Sequence, residues 1–229
     1  MQSDRLITDF PSPVYFRKNI NFEKISDHHS VYIVDKKLEN LYDFKDISGK
    51  TIFIEAEENE KSLDTIYQII EKLTEMETDR TTILIGIGGG IITDITGFTA
   101  SIYKRGIKFI LIPTTLLSMV DAAYGGKTGV NFKGIKNHIG TFAVPENIIV
   151  HTNFLTTLPK IEKLNGLCEI LKIAFTSDSE LFKILDETET FDNLDIEFII
   201  EQAILTKKKI IEQDLYDTGI RNILNFGHT

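Results

Sequence analysis

The sequence predicts an α/β fold in which a mostly parallel, Rossmann-like sheet carries helices on both faces and is followed by an all-helical part. Three observations predict it. Short apolar runs rich in β-branched residues recur as far as His151, a helical period separates two of them, and beyond about Leu158 the strand pattern stops. With 229 residues, 42% of them hydrophobic, the chain can bury one large core or two ordinary ones.

The expected strands are VYIVD (31–35), TIFIE (51–55), TILIGI (82–87), IKFILI (107–112) and NIIVH (147–151). SLDTIYQIIEKLTEM (62–76) has one apolar face at helical spacing behind Ser62, which can cap it. GIGGGIITDITGF (86–98) leaves a strand and opens a second helix. In the last third, KLNGLCEILKIAF (163–175), SELFKILDE (179–187) and DIEFIIEQAILTKKKII (195–211) all read as helices. The expected organisation is an α/β domain over 1–158 and a partial helical domain over 159–229, with no internal repeat and nothing identifiable as functional before residue 30.

Composition excludes several classes of function. No apolar run approaches the ~18 residues of a membrane span, and MQSDRLITDF has neither a basic start nor an apolar stretch. A cytoplasmic protein with no membrane partner is expected. Cys168 is the single cysteine, so no internal disulfide forms and no cysteine pair can hold zinc. The net charge of −9 argues against a nucleic-acid partner. Between Ser101 and Gly140 the balance reverses: Lys104, Arg105, Lys108, Lys127, Lys133 and Lys136 face the single acid Asp121, a net of +5. Such a cluster is ordinarily a solvated patch. Here the lysines stand among glycines and threonines in expected loops, where a small anion would bind.

The glycine turn at 86–90 is placed to receive a phosphate on backbone N–H groups and a helix dipole. It is not a strict G-x-G-x-x-G, because the third position falls on Ile91, and any tight strand-to-helix turn uses glycine. GGKTG (125–129) resembles the end of a nucleotide-triphosphate loop, yet that loop needs Gly where Asp121 stands. What survives is Lys127, flanked by glycines and open to an anion.

The helical part holds a sharper signal. GLCEILKIAF (166–175) is apolar at nearly every position, which predicts a helix buried on all sides, yet Glu169 and Lys172 lie three residues apart within it. Lys207 falls on the inner stripe of the next long helix with Ile196, Ile200, Ala203 or Ile204, and Ile211, whereas Lys208 and Lys209 do not. A mutual salt bridge accounts for the first pair. Three inward ionisable residues in so short a stretch point to a site.

Taken in order, GGGIITDITGF, YKRG, PTTLLSMVDAAYGGKTGVN, KNHIGTF, TLP, GLCEILK and GIRNILNFGHT resemble the 3-dehydroquinate synthase family from about Asp35 to Thr229. The resemblance implies an NAD-binding α/β domain, a helical domain and a metal between them. It implies that 3-deoxy-arabino-heptulosonate 7-phosphate, a sugar phosphate, is converted to 3-dehydroquinate and phosphate in the shikimate route to aromatic amino acids. The implied reaction oxidises the sugar at C5, eliminates phosphate, reduces the ketone again, opens the ring and closes the carbocycle by an aldol step. NAD is regenerated each turn, and zinc polarises the C5 hydroxyl.

Carried over by position, the resemblance implies that Asp35, Glu58, Lys61, Gly88, Gly89, Gly90, Asp94, Thr114, Thr115, Lys136, Phe154 and Thr157 hold NAD. Arg105, Asp121, Lys127, Asn137, Lys172, Lys207, Arg221 and Asn225 would hold the substrate, with Lys127, Asn137, Lys172 and Asp217 as its catalytic residues. Glu169 and His228 would bind the metal, and such a donor set accepts cobalt as readily as zinc. A homodimer is implied as well.

This sequence departs from the family at Thr93, at Cys168, at Ile173-Ala174 and at Asp217, which replaces a general-base Glu. Family members continue past GHT with further histidines. The resemblance therefore implies a truncated chain, cut within the motif that contains His228, whose metal affinity is reduced. Three alternatives stand beside the synthase reading: another sugar-phosphate cyclase, a metal-dependent polyol dehydrogenase of the same architecture, and an NAD-binding fragment without activity.

Overall fold

The computed structural model describes residues 4–22, 25, 29–177, 180–187 and 195–227. In chain order the strands are β1 (Arg5–Thr8), β2 (Val14–Phe16), β3 (Ser30–Asp35), β4 (Thr51–Ile54), β5 (Ile83–Gly88), β6 (Phe109–Pro113), β7 (Lys127–Phe132), β8 (Ile135–Phe142) and β9 (Asn147–Val150). The helices are α1 (Leu63–Glu75), α2 (Gly90–Ile102), α3 (Lys160–Thr176), α4 (Glu180–Asp186) and α5 (Ile196–Ile211).

Seven strands form one sheet in the order β1-β2-β9-β6-β5-β3-β4, parallel throughout except for β1 against β2. The chain moves outward from β3 to β4 in one direction and from β5 through β6 to β9 in the other. The order thus reverses between β3 and β5, and in open parallel sheets ligands settle in the crevice beyond the carboxyl ends of the strands at such a point. Asp35 ends β3 and Gly88 ends β5.

All five expected strands are present, with ends shifted by two residues or fewer. Ser62 caps α1, its Oγ accepting the Thr65 N–H at 3.2 Å, and Ile66, Ile69 and Leu73 turn inward at helical spacing. α2 packs across β3, β5 and β6 and beneath a separate two-stranded hairpin of β7 and β8.

That hairpin corrects the expectation that Lys127 and Lys136 sit in loops: Lys127 opens β7 and Lys136 lies in β8, while Lys133 occupies the turn between them at φ +49°. β1 and β2 are likewise strands where none was expected, and they extend the main sheet.

The strand pattern ends at Val150 and α3 begins at Lys160, but the apolar core is continuous across this point. Ile170, Ala174, Ile200, Ala203 and Ile204 belong to the same cluster as Ile33, Leu84 and Ile112. α3 and α5 reach the core through a π-helical turn, Ser118–Ala122, against which both pack. Gly166 permits the closest approach, since a Cβ there would lie 2.5 Å from the Leu116 Cβ.

The expectation that α3 is buried on all sides is not met. Gly166, Glu169, Ile170, Ile173 and Ala174 are buried, but Leu171 is 48% and Phe175 66% exposed. α3 turns one face to Leu116 and α5, and its apolar residues encircle the helix, so those on the remaining faces are only partly covered, Phe175 by the rings of Phe182 on α4 and Phe226, each 6.2 Å away.

Candidate active site

Beyond the carboxyl ends of β3, β5 and β6 lies a cavity of about 770 Å³, floored by the sheet and roofed by α3, α5 and the segment after α5. Its sheet side starts at the glycine turn. Gly89 is the N-cap of α2, and the first turn of that helix carries no acidic residue, which leaves its N–H groups open to an anion. The approach to them is narrow: a Cβ on Gly89 would come within 3.1 Å of Thr115 Cγ2, and one on Gly90 within 3.3 Å of the Ala122 Cβ. Gly88 does not line the cavity. A Cβ there would strike Ile92 at 2.6 Å, so this glycine serves strand-to-helix packing.

Thr114 and Thr115 follow β6 on the cavity wall, where the Thr115 N–H and hydroxyl are held by the Ser118 hydroxyl. Asp35 lines the cavity at the end of β3, takes the Lys37 N–H at 3.0 Å, and has its carboxyl pushed above the usual range by burial. Phe154 and Thr157 close that end. They are held by Tyr42, whose hydroxyl meets Thr157 at 3.0 Å and whose ring packs edge-on to Phe154 at 4.9 Å.

Glu58 and Lys61, from the turn after β4, face the same cavity with Asp94 on α2 and Asn137 on β8. The buried Lys61 ammonium donates to Asp94 and, at 2.5 Å, to Asn137 Oδ1. Burial pushes the Asp94 carboxyl up to about 6, although the Lys61 charge pulls it down. The sign follows from proton counting. An unfolded Asp loses its proton near pH 4 and the folded one near 6, so Asp94 makes stability fall as pH rises through that window. Compared with Asp94→Asn, the wild type should lose stability on the order of 1–3 kcal/mol between pH 4 and 7. Thermal melts of both proteins check this, and a constant difference across the range contradicts it.

The π-helical turn, whose Ala122 faces Gly90, presents Asp121 to Lys207. The fully buried Lys207 ammonium donates to Asp121 Oδ1 at 2.6 Å, to the Asp121 carbonyl at 2.8 Å and to the Tyr124 carbonyl at 2.9 Å. Burial lowers its pKa and Asp121 partly restores it. Gly125 has φ +108°, and its carbonyl accepts Arg221 Nη2 at 3.0 Å, while Nη1 donates to the Leu215 carbonyl at 2.5 Å. A side chain on Gly125 would be strained and would press on that guanidinium at 2.5 Å. Lys127, at the cavity edge, pairs with Asp217; Asp217 Oδ1 is buried and has no hydrogen-bond partner among the described residues. Asn225 lines the cavity as well.

The structure therefore brings ten of the twelve expected cofactor residues and six of the eight expected substrate residues to one cavity. Lys136 lies outside it on the hairpin surface, 3.6 Å from Glu58. Arg105 is exposed in the turn that ends α2, at φ +70°, because that turn closes the opposite end of the helix from the glycines. Lys172 stays behind the wall in a 2.6 Å ion pair with Glu169, the mutual bridge that the spacing suggested. Asp217 stands behind Lys127 rather than in the wall. His228 lies outside the described residues.

Burial and the nearby Asp121 charge raise the Glu169 pKa. A catalytic zinc takes three protein ligands. Among the described residues no group of three His, Cys, Asp or Glu side chains is placed to hold a metal, so these residues do not complete a donor set.

Sequence reasoning missed Lys37, Tyr124 and Asn131. Lys37 lies two residues beyond the acid that ends β3, which is a legible signal; Tyr124 and Asn131 have none short of the fold.

Two family models tile most of the chain: 3-dehydroquinate synthase N-terminal over residues 51–165 and 3-dehydroquinate synthase C-terminal over 166–229. The chain belongs to the 3-dehydroquinate synthase family. It is 50% identical over 172 residues to the 3-dehydroquinate synthase of Campylobacter concisus, an alignment covering 75% of this chain and 50% of the relative. Against that of Saccharolobus solfataricus it is 44% identical over 213 residues, 90% of this chain and 60% of the relative. The chain thus spans about half to three fifths of these synthases. Among solved structures it resembles the 2-epi-5-epi-valiolone synthase ValA of Streptomyces hygroscopicus subsp. jinggangensis, which has NAD+ and Zn2+ bound. The TM-score is 0.82 at 27% identity, over 94% of this chain and 65% of the other. A 2-deoxy-scyllo-inosose synthase shares the same fold, with TM-score 0.82 at 22% identity over 99% of this chain and 67% of the other. A 3-dehydroquinate synthase family member thus carries its glycine turn and its inward cations in the lining of one chamber.

Proposed function

We propose that the protein acts as a 3-dehydroquinate synthase, converting 3-deoxy-arabino-heptulosonate 7-phosphate to 3-dehydroquinate and phosphate with NAD as a regenerated cofactor. One observation carries the reading: the open N-terminus of α2 and the cations Lys127, Lys207 and Arg221 line a single cavity large enough for a dinucleotide and a sugar together. A polyol dehydrogenase has no use for the second group.

NAD fits the sheet end. The narrow glycine cradle suits a pyrophosphate, which a Cβ at Gly89 or Gly90 would crowd, and Asp35 at the tip of β3 suits a ribose hydroxyl. When bound, NAD supplies a hydride acceptor that returns what it takes. The residues of the chain do the rest. Lys61 and Asn137, joined to each other in the cavity wall, can orient a substrate hydroxyl toward the cofactor. Lys127 is held at the rim by Asp217, where its ammonium can donate a hydrogen bond to a phosphate oxygen, so charge on the departing phosphate meets a cation already in place. The open Oδ1 of Asp217 is an acceptor beside it. Lys207 and Arg221 make the roof positive and fix Asp121 and Gly125. A divalent metal belongs to the same proposal, with Glu169 and His228 as expected ligands. Because the described residues do not complete its donor set, no step is assigned to it.

The test is turnover at NAD well below substrate. Phosphate release that continues past one equivalent of NAD, with no NADH accumulating, supports the synthase. Net NADH from a polyol supports a dehydrogenase, and NAD binding with neither product refutes the catalytic reading of this chain.

A further inference from the structure

Asn131 lies where the hairpin slips register, between Val130 and Phe132. Its side chain bridges two segments of the site. Oδ1 accepts the Asn137 backbone N–H at 2.9 Å, and Nδ2 donates to the Glu58 carbonyl at 3.2 Å and to Glu58 Oε1 at 2.8 Å. The Asn131 backbone N–H donates to the Lys61 carbonyl at 2.8 Å. One residue outside the cavity wall thus ties both ends of the 58–61 turn to β8.

What it holds is strained. Asn137 has φ +52°, a left-handed conformation that costs a non-glycine residue roughly 1 kcal/mol and persists when its surroundings over-determine it. Here the surroundings are identifiable: Asn131 grips the backbone N–H, and Lys61 meets the side-chain oxygen at 2.5 Å. Asn137 sits in the bulge of β8 opposite Asn131, apart from the turn at Lys133 and Gly134. The bridge serves the wall, where Glu58, Lys61 and Asn137 all face the cavity.

We propose that Asn131 is a positioning residue, which presets the Asn137 backbone and the Glu58 carboxylate so that the wall is formed before a dinucleotide enters. The identity of the ligand rests on the NAD reading above; the geometry does not.

The test compares the full chain with Asn131→Ala and Asn131→Asp by two measurements: hydrogen exchange at the Asn137 amide without ligand, and NADH affinity by its fluorescence. In Asn131→Ala the Asn137 amide should exchange about tenfold faster or more, the factor expected for losing one hydrogen bond. NADH should bind about tenfold more weakly. Asn131→Asp keeps the acceptor and should retain Asn137 protection, but it sets a carboxylate against Glu58 and should still weaken NADH.

Unchanged exchange at Asn137, or faster exchange with unchanged NADH affinity, overturns the proposal. So does equal loss of protection along all of β7 and β8, which would make the role merely structural. If Asn131→Ala does not fold, Asn131→Asp decides alone: retained protection with weakened NADH supports the proposal, and unaltered NADH affinity overturns it. A wild type that binds no NADH refutes the cofactor reading instead, and exchange at Asn137 still decides whether Asn131 holds the wall.

Discussion

Replacing Lys207 with methionine is expected to lower the melting temperature by roughly 10 °C and to abolish phosphate release. The side chain is buried and its ammonium satisfies three oxygens, two of them on Asp121. Removing one partner of a buried ion pair leaves the other charge uncompensated, which costs about 3–5 kcal/mol. In a chain of this length each kcal/mol moves the melting temperature by about 2–4 °C. The second site follows from the cause: Asp121→Asn added to Lys207→Met should recover part of the stability, because the stranded charge is gone, but none of the activity. Calorimetry of the single and double variants checks both statements. A single variant within 2 °C of wild type would mean that Lys207 is not held as described.

Lys127→Met separates function from folding. Lys127 is 44% exposed on its side chain but its partner Asp217 only 14%, so its loss should lower the melting temperature by far less than that of Lys207. Phosphate release should fall about a hundredfold to a thousandfold, the usual effect of removing one preorganised group from developing negative charge. Equal losses of stability and rate would instead describe a structural lysine.

The main sheet was legible because its central strands are buried on both faces and read as continuous apolar runs: Ile33, Val34, Leu84, Ile85 and Ile112 are all fully buried. The hairpin was not. β8 is largely exposed and carries Lys136, His138 and Gly140, so neither alternation nor hydrophobicity marks it as a strand. β1 and β2 are short, with only four and three residues, and Pro11 and Pro13 stand between them. In α3 the apolar residues ring the helix, and composition alone cannot tell which face meets Leu116.

The site was legible in part for a similar reason. Lys207 declared itself by falling on an apolar stripe, and Glu169 with Lys172 by their spacing inside an apolar helix. The joining of Gly89, Asn137 and Arg221 in one cavity spans most of the chain and follows from sheet topology, which no local pattern encodes. Arg105 and Lys136 carry the right charge, yet the turn after α2 and the outer side of the hairpin hold them away from the cavity.

A dinucleotide and a sugar phosphate are expected to lie side by side in this cavity. A crystal structure of the chain soaked with NAD and 3-deoxy-arabino-heptulosonate 7-phosphate tests it most directly. The pyrophosphate is expected against the N–H groups of Gly89 and Gly90, and an anionic group of the sugar within hydrogen-bond reach of Lys127, Lys207 or Arg221. Either ligand bound elsewhere, or one expelling the other, would contradict it.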